Sequence, residues 1–253
     1  MRLPRWVLAR VFWRCLFLQA AWNRRGMQNL GFAYAIDPAL RRLYADPAKR
    51  AEALGRHLLF FNCHPYMAAA ILGGAIHHEE RVAAGEEPGT GPLQFKQTLQ
   101  GPLAAVGDGF FWTALRPFFG LLAAAGALVV GWPAVVAALL AYNVVHFALR
   151  IRLFRAGYAR GDGLVGEIAR LELPVVAARL RAVGAVLAGV AGALVLLPAA
   201  RAGGAASVLT AVAVTALGYL LLSSGVHLLR AAYAAALVGT GAALLAAHFH
   251  WSP

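Results

Sequence analysis

The hydrophobic pattern divides the chain into an amphipathic first part, an apolar middle and a strongly apolar end. Up to about residue 100, short apolar stretches alternate with basic and polar ones, and none is long enough to cross the roughly 30 Å core of a bilayer. Between Arg116 and Arg150 there is no charged residue, and after residue 181 the charged residues are Arg201 and Arg230. The pattern predicts an all-α integral membrane protein with amphipathic N-terminal helices, re-entrant or broken helical hairpins and about three C-terminal transmembrane helices.

Residues 1–25 place tryptophan, phenylalanine and aliphatic side chains among arginines, as in a basic amphipathic helix. Helices of this kind lie along anionic membrane surfaces, where the aromatic rings enter the interface and the arginines meet lipid phosphate. Packing of the same helix against a partner subunit is a nearly equal alternative.

Two Asp-Pro pairs predict helix starts, because Asp caps the first turn and Pro fits the first helical position. They are Asp37-Pro38 and Asp46-Pro47. The helix that begins at the second pair is amphipathic and too polar to span a bilayer.

The polar residues 62–66 predict a break after that helix, which we place at 47–61. The apolar run that follows, of about 11 residues, is too short to cross a membrane. The histidine and glutamate cluster at 77–81 predicts a return to water, and residues 83–92 predict a loop.

The stretch 100–117 combines helix-breaking residues with a carboxylate in apolar surroundings. Gly101-Pro102 predicts an interruption, since Pro lacks the N–H and restricts the residue before it. Asp108 follows between two glycines, and a carboxylate there needs a partner, water or a ligand. We interpret the stretch as a re-entrant or broken helix beside a polar site; the alternative is an interfacial turn in which Asp108 caps a helix over 109–115.

The uncharged run 118–149 is divided by Gly131-Trp132-Pro133. As one straight helix it would be about 50 Å long, whereas each half is roughly 20–25 Å, short for a full span. A helical hairpin that returns to its starting side therefore fits best. Residues 150–181 carry seven arginines against three acidic residues, which predicts that this segment and the N-terminus face the cytoplasm.

The predicted organisation has four parts. Residues 1–100 form an amphipathic, interfacial or cytoplasmic helical region, and residues 101–160 a re-entrant helical hairpin region. Residues 161–181 form a cytoplasmic basic loop, and 182–253 the C-terminal transmembrane helices. Within this last part, the predicted spans are 182–200, 205–229 and 231–247.

Composition supports the membrane assignment and narrows the chemistry. The 253 residues are 60% apolar and only 13% charged, against about a quarter charged in soluble domains. The formal charge of +12 does not indicate nucleic acid, because the basic residues flank apolar segments and no nucleic-acid motif accompanies them. The two cysteines, Cys15 and Cys63, predict neither a disulfide framework nor a zinc site.

No catalytic motif is found in the sequence. It contains no P-loop, no nucleophile elbow and no HExxH motif. His77 and His78 are adjacent and so do not face one another on a helix, and His64 is more simply a helix-end histidine than a phosphoacceptor. We therefore predict no catalytic residue, no metal and no cofactor.

Four segments together resemble a known family. FWRCLFLQAAWNRRGMQNLGFAYAIDPALRRLY, HLLFFNCHPYMAAAILG, GPLAAVGDGFFWTALRP and AYNVVHFALRIRLFRAGY are similar to the IID subunit of mannose/fructose/sorbose-family phosphotransferase system (PTS) permeases. The resemblance covers roughly residues 10–160. It implies a membrane subunit that forms, with a IIC subunit, the sugar-binding translocation unit of a hetero-oligomer in the bacterial inner (cytoplasmic) membrane. Uptake of a hexose-type sugar would be coupled to phosphorylation by IIA and IIB, without a phosphohistidine in this chain.

The resemblance and the chemistry of sugar recognition together suggest a substrate site. Sugars are bound by amides, carboxylates and stacked aromatic rings, and one carboxylate here has an apolar setting. The predicted substrate-binding residues are Asp108, Asn62, His64, Asn23, Gln28, Trp22 and Trp112. The alternative is that Asp108 and Asn62 only cap helices and pair with IIC.

Three departures from the family pattern matter. Arg25 stands where the family usually has an acidic residue, and Gly26 where it has a basic one. Cys63 replaces a threonine, and two polar segments are short. The altered Arg25-Gly26 region motivates a second hypothesis, a non-transporting assembly or regulatory membrane subunit of a PTS-like complex.

Overall fold

In a computed structural model of the chain, the backbone is described for residues 2–223 and the side chains mainly for residues 2–195. The described residues form α-helices with one π-helix and no strand. The helices are α1 Arg5–Cys15, α2 Asn29–Leu43, α3 Pro47–His57, α4 Ala68–Ala83, α5 Gly91–Gly107, α6 Arg116–Val130, α7 Trp132–Arg160, α8 Leu164–Ala169 and α9 Leu173–Ser223, with the π-helix π1 Asp108–Leu115 between α5 and α6. This confirms the predicted all-α class.

The chain divides into two compact units, residues 1–189 and residues 190–253. The first unit contains α1–α8 and the beginning of α9. In the described part of the second, Gly204 has a φ of +68° and interrupts the regular helix. Residues 224–253, which include the predicted span 231–247 and the end of 205–229, lie outside the described residues.

Helix α1 is amphipathic, as predicted, and buries one face in the first unit. Val7, Val11 and Cys15 are spaced four residues apart and are completely buried, as expected for one stripe of a helix. Helix α1 packs against α2, and Gly31 of α2 lies so close to the backbone of Leu18 that no side chain could be added there.

The predicted helix start at Asp37-Pro38 is wrong, because Pro38 lies inside α2. A proline within a helix leaves the carbonyl four residues earlier without its donor. Here that carbonyl belongs to Tyr34, and it accepts a hydrogen bond from Arg14 Nη1 at 3.0 Å. Arg14 thus compensates for the missing N–H.

The predicted start at Asp46-Pro47 is confirmed. The Asp46 carboxylate accepts a hydrogen bond from Ala48 N–H at 2.9 Å, and Pro47 begins α3. The helix ends at His57, four residues earlier than predicted.

Helix α4 is the buried centre of the first unit. Every residue from Ala68 to Ile76 is buried, and α4 packs closely on α7. The predicted return to water at 77–81 is wrong in part, because α4 continues to Ala83 with His78 and Glu79 buried. Glu79 is buried because Tyr44, Arg56 and His57 all donate hydrogen bonds to its carboxylate.

The predicted interruption at Gly101-Pro102 is wrong. Pro102 lies within α5, and helical backbone runs without a break from residue 91 to residue 130. The irregularity comes later, in the wider turns of π1. Pro117, just after π1, has no N–H for the carbonyl four residues earlier, that of Thr113. Asp108 has helical backbone angles, with φ of −61° and ψ of −45°, whereas a residue that caps a helix N-terminus is non-helical, so the capping alternative is also wrong.

A helical hairpin at Gly131 agrees with the predicted turn. Gly131 has a φ of +77°, a conformation that favours glycine, and α6 and α7 pack against each other on either side of it. The two helical stretches of the hairpin extend beyond its predicted limits at residues 118 and 149, however. Three helical stretches, Gly91–Val130, Trp132–Ala169 and Leu173–Val195, are long and apolar enough to cross a membrane.

The predicted loop at 161–181 is wrong. This segment contains a short 3-10 turn over Gly161–Gly163, then α8, then the first residues of α9. The arginines of the segment, Arg170, Arg179 and Arg181, are exposed on these helices. Glu167 of α8 pairs with Arg170 at 3.9 Å and with Arg152 and Arg160 of α7 at 2.9 and 3.0 Å.

Candidate functional site

Two segments named in the sequence motifs meet through their backbones. Gln28 N–H donates to the Phe61 carbonyl at 2.9 Å, and Met27 forms a parallel bridge with Phe61. The Gln28 side chain completes the pairing, because its Nε2 donates to the Cys63 carbonyl at 2.8 Å and its Oε1 accepts from Cys63 N–H at 3.0 Å. We call residues 23–28 and 58–64 the paired loops.

Asn23 shapes the first paired loop. Its Oδ1 accepts from Gly26 N–H at 2.8 Å and from Arg25 N–H at 3.1 Å, and its Nδ2 donates to Asn29 Oδ1 at 2.9 Å. Such side-chain bonds to nearby backbone are typical of asparagine in turns. Trp22, just before the turn, is 53% exposed.

His64 connects the second paired loop to π1. Its ring stacks on Phe111 with centroids 5.0 Å apart and meets Trp112 edge-on at 5.6 Å. A side chain at Gly107 would overlap the His64 ring, so the glycine is what allows this close approach.

The His64 ring is neutral near pH 7. Burial, and then the charge of Arg150, lower its pKa to about 4. Nδ1 accepts a hydrogen bond from Tyr66 N–H at 3.2 Å, which places the proton on Nε2. Nε2 is buried and has no partner among the described residues.

Asn62 and Asp108 are exposed, in contrast to Gln28 and His64. Asn62 N–H donates to Gln100 Oε1 of α5 at 3.0 Å, which fixes the second paired loop to the helix that leads into π1. No described cation lies within salt-bridge distance of Asp108. Burial raises the pKa of Cys63 to about 12, and the nearby Asp108 carboxylate adds to this effect.

The predicted substrate-binding residues therefore fall into two kinds, those that shape the site and those whose side chains are exposed. Gln28 and His64 are buried and hold the paired loops and π1 together, while Asn23 folds the first loop. Asn62, Asp108 and Trp112 present an amide, a carboxylate and an indole that is 45% exposed. Trp22 lies just before the first loop, and no described contact links it to this group.

Sequence reasoning missed two residues that position the site. Gln100, at the start of the stretch singled out, anchors Asn62. Phe111 supplies the surface on which His64 stacks. The adjacent aromatic residues at 110–112 were a sequence signal for Phe111, whereas a single glutamine such as Gln100 carries no comparable signal.

The comparisons with known proteins decide the family. The model of the PTS system mannose/fructose/sorbose family IID component matches residues 2–197, a range that includes the paired loops and π1. The chain belongs to this family. The resemblance found in the sequence motifs is thereby confirmed.

Relatives of this IID chain include sugar-specific components. It is 39% identical over 160 residues to the mannose-specific EIID component of Escherichia coli K12, covering 62% of this chain and 56% of that protein. It is 37% identical over 153 residues to the sorbose-specific EIID component of Lacticaseibacillus casei, covering 60% and 54%. The matches thus span little more than half the length of these relatives.

Solved structures match over a longer range. A cryo-EM structure of the mannose transporter ManYZ in complex with microcin E492 is similar with a TM-score of 0.61 and 28% identity, covering 96% of this chain and 97% of that chain. A second structure, of a membrane protein, has a TM-score of 0.68 at 32% identity and covers 76% of this chain and 71% of that one. With the three apolar helical stretches, these matches identify the IID chain as a membrane protein.

Proposed function

We propose that this IID chain forms, with a IIC subunit, the sugar-binding unit of a mannose-type PTS permease in the bacterial inner membrane. The observation that carries the proposal is the group of Asn62, Asp108 and Trp112 around π1. An exposed amide, an exposed carboxylate and an aromatic face are the groups that bind sugar hydroxyls and the apolar face of a hexose. A π-helical turn within a membrane-spanning helix is a frequent place for a functional site.

In this proposal, IIA and IIB supply the phosphate and this chain accepts none. His64 is buried and neutral, stacks on Phe111 and meets Tyr66 and Trp112 edge-on, so it is not set up as a phosphoacceptor. Gln28 and His64 act by holding the paired loops against π1. Direct contacts of these two residues, and of Asn23 and Trp22, with sugar stay predictions.

The proposed partners follow from the surfaces of the chain. The ManYZ structure to which the chain is similar is a mannose transporter complex, and a IIC subunit is the corresponding partner proposed here. On α1, Trp6 and Trp13 are each 63% exposed among exposed arginines, which supports contact with anionic lipid at the membrane surface. The arginine excess at the N-terminus and at 150–181 supports a cytoplasmic location for both.

The second hypothesis, a non-transporting subunit, rested on Arg25 and Gly26. Both residues fit the turn built by Asn23, and a side chain at position 26 would overlap Asn29. The local structure therefore accounts for Gly26 without a loss of function. We retain the transporting subunit as the proposal.

Sugar binding by site variants tests the proposal. In a complex with IIC, Asp108→Asn and Asn62→Ala should each weaken sugar affinity about tenfold or more, because each removes one or two hydrogen bonds to bound hydroxyls. The measurement is calorimetric titration of the purified complex. Glu86→Gln, a change at an exposed carboxylate outside the site, is the matched control.

Normal assembly with unchanged affinity in both site variants would contradict the proposed sugar contacts. It would leave Asn62 and Asp108 as residues that contact IIC. Loss of assembly in both, without loss of affinity in the remaining complex, would contradict them equally.

A further inference from the structure

An apolar groove lies beside π1 on the membrane-spanning hairpin. Its volume is about 440 Å³, and residues of π1, α6 and α7 line it. From Arg116 to Ala123 it follows α6 for two turns, roughly 10 Å. Its walls are mostly aliphatic and aromatic, with Phe119, Val135 and Leu139 among them.

One end of the groove carries a single cation. The Arg116 guanidinium lies 5.3 Å from the centre of the Trp112 ring, and the side chain is exposed. Among the described residues, no carboxylate lies within salt-bridge distance of it. Arg116 is also the last charged residue before the uncharged hairpin 117–149, so it marks the polar boundary of an apolar element.

The groove is poorly suited to sugar. Besides Arg116, its hydrogen-bonding side chains are the Trp112 indole, a donor only, and Tyr66 and Tyr142, whose hydroxyls pair with each other at 3.4 Å. A hexose in the groove would leave most of its hydroxyls without partners, at a high desolvation cost. A hydrocarbon chain joined to an anionic group matches these apolar walls and the single cation much better than a sugar does.

We propose that this groove binds one anionic phospholipid, with the phosphate at Arg116 and the first part of an acyl chain along α6 toward Ala123. An unpaired cation at the boundary of an apolar groove complements an anionic headgroup joined to hydrocarbon. Arginine also matches phosphate geometry through its planar fork of donors. Trp112 of π1 and Arg116 at the start of α6 lie together and form the headgroup end.

Native mass spectrometry of the assembled complex tests the proposal. The complex is released from membranes doped with phosphatidylglycerol, and the phosphatidylglycerol retained per complex is counted. Arg116→Gln should lower the occupancy of one lipid roughly fivefold, which corresponds to about 1 kcal/mol for one basic side chain near a lipid headgroup. Arg155→Gln, at an exposed arginine outside the groove, is the matched control and should retain the lipid.

A second variant separates the groove from general surface charge. Ala123→Phe fills the apolar part without changing charge, and it should also reduce retention of phosphatidylglycerol. Added inorganic phosphate should not displace the lipid; displacement would reduce the site to a simple anion site and overturn the proposal.

Equal retention in wild type and Arg116→Gln would overturn it as well. So would loss of IIC from the Arg116→Gln or Ala123→Phe complex with the lipid retained, because a partner helix would then occupy the groove. The readout is independent of sugar affinity, and its failure would leave the proposed function unaffected.

Discussion

Among single residues, Glu79 has the densest set of charged and polar partners in the first unit. Its Oε1 accepts from Arg56 Nε at 2.7 Å and from His57 Nε2 at 2.8 Å, and its Oε2 accepts from the Tyr44 hydroxyl at 2.6 Å. Burial by itself raises the pKa of Glu79, but the hydrogen bonds from His57 and Arg56 outweigh it and lower the pKa to about 2. One carboxylate thus joins α3, α4 and the residue after α2.

This cluster predicts acid sensitivity. Burial lowers the pKa of His57 below its ordinary value of 6.5, so the unfolded chain binds more protons than the folded one as the pH falls below 6.5, and stability decreases. The depressed pKa of Glu79 stabilises the fold fully above about 4.5, and this contribution, about 3 kcal/mol, is lost as the pH falls toward 2. As the pH is lowered from 7 to 3, the melting temperature should therefore fall below about pH 6.5, because of His57, and fall further below about pH 4.5, because of Glu79.

Glu79→Gln gives the direct check. It leaves the mostly buried Arg56 with only the exposed Glu52 as a countercharge, at 3.5 Å, which should cost about 3 kcal/mol, and it should flatten the stability profile below pH 4.5. Glu86→Gln, at an exposed carboxylate, should leave the profile unchanged. An unchanged acid limb in Glu79→Gln would show that other groups control acid stability.

The sequence alone could not predict that Glu79 is buried. Two histidines and two glutamates in a row resemble a solvated helix end, and the partners that neutralise Glu79 come from positions 44, 56 and 57. The cap at Asp46, by contrast, was predicted correctly, because its carboxylate accepts a hydrogen bond from a backbone N–H only two residues later. Local interactions can be read from the sequence, whereas compensation by distant residues depends on the fold.

Among the elements, α4 and α7 are held together by close backbone contact. A side chain on Gly157 would meet the Ala70 carbonyl oxygen, and one on Gly73 would meet the carbonyl of Phe154. The helices can approach this closely only because these positions are glycine.

Gly157→Ala tests this contact. The added methyl group should force α4 and α7 apart and cost about 1–3 kcal/mol, measured as a lower melting temperature of the complex in detergent. Gly55→Ala on α3, where a side chain would meet nothing within 4 Å, should instead stabilise by up to about 1 kcal/mol. Equal effects of the two changes would contradict the proposed close packing.

The helix interruptions show where element prediction fails. Asp37-Pro38 and Gly101-Pro102 both resemble boundaries, yet both prolines lie inside helices. The carbonyl of Tyr34, which Pro38 leaves without a donor, accepts a hydrogen bond from Arg14, 20 positions earlier in the chain. The turn at Gly131 was predictable because a glycine with positive φ is a local requirement.

For the whole molecule, the distribution of arginines predicts orientation. Gly166 lies on α8, exposed, with open space around it. A cysteine at this position, Gly166→Cys, should react with a membrane-impermeant thiol reagent only after the cells are permeabilised, because we expect this segment to face the cytoplasm. The buried Cys15 and Cys63 give a low background, and labelling in intact cells would reverse the proposed topology.

The proposed sugar site was only partly predictable from the sequence. The family motifs indicated Asn62 and Gln28 alike, and the apolar setting indicated Asp108. The sequence could not show that the Gln28 amide pairs with the Cys63 backbone while Asn62 is exposed. That distinction depends on the pairing of loops 35 residues apart.

The central claim is that this chain binds sugar only together with IIC and never carries the phosphate. The most direct test reconstitutes the chain with IIC in vesicles and adds sugar and IIB carrying radiolabelled phosphate. The account predicts labelled sugar phosphate when both membrane subunits are present, none with either alone, and no phosphohistidine on this chain. Phosphate trapped on a histidine such as His64, or sugar binding by the chain without IIC, would contradict it.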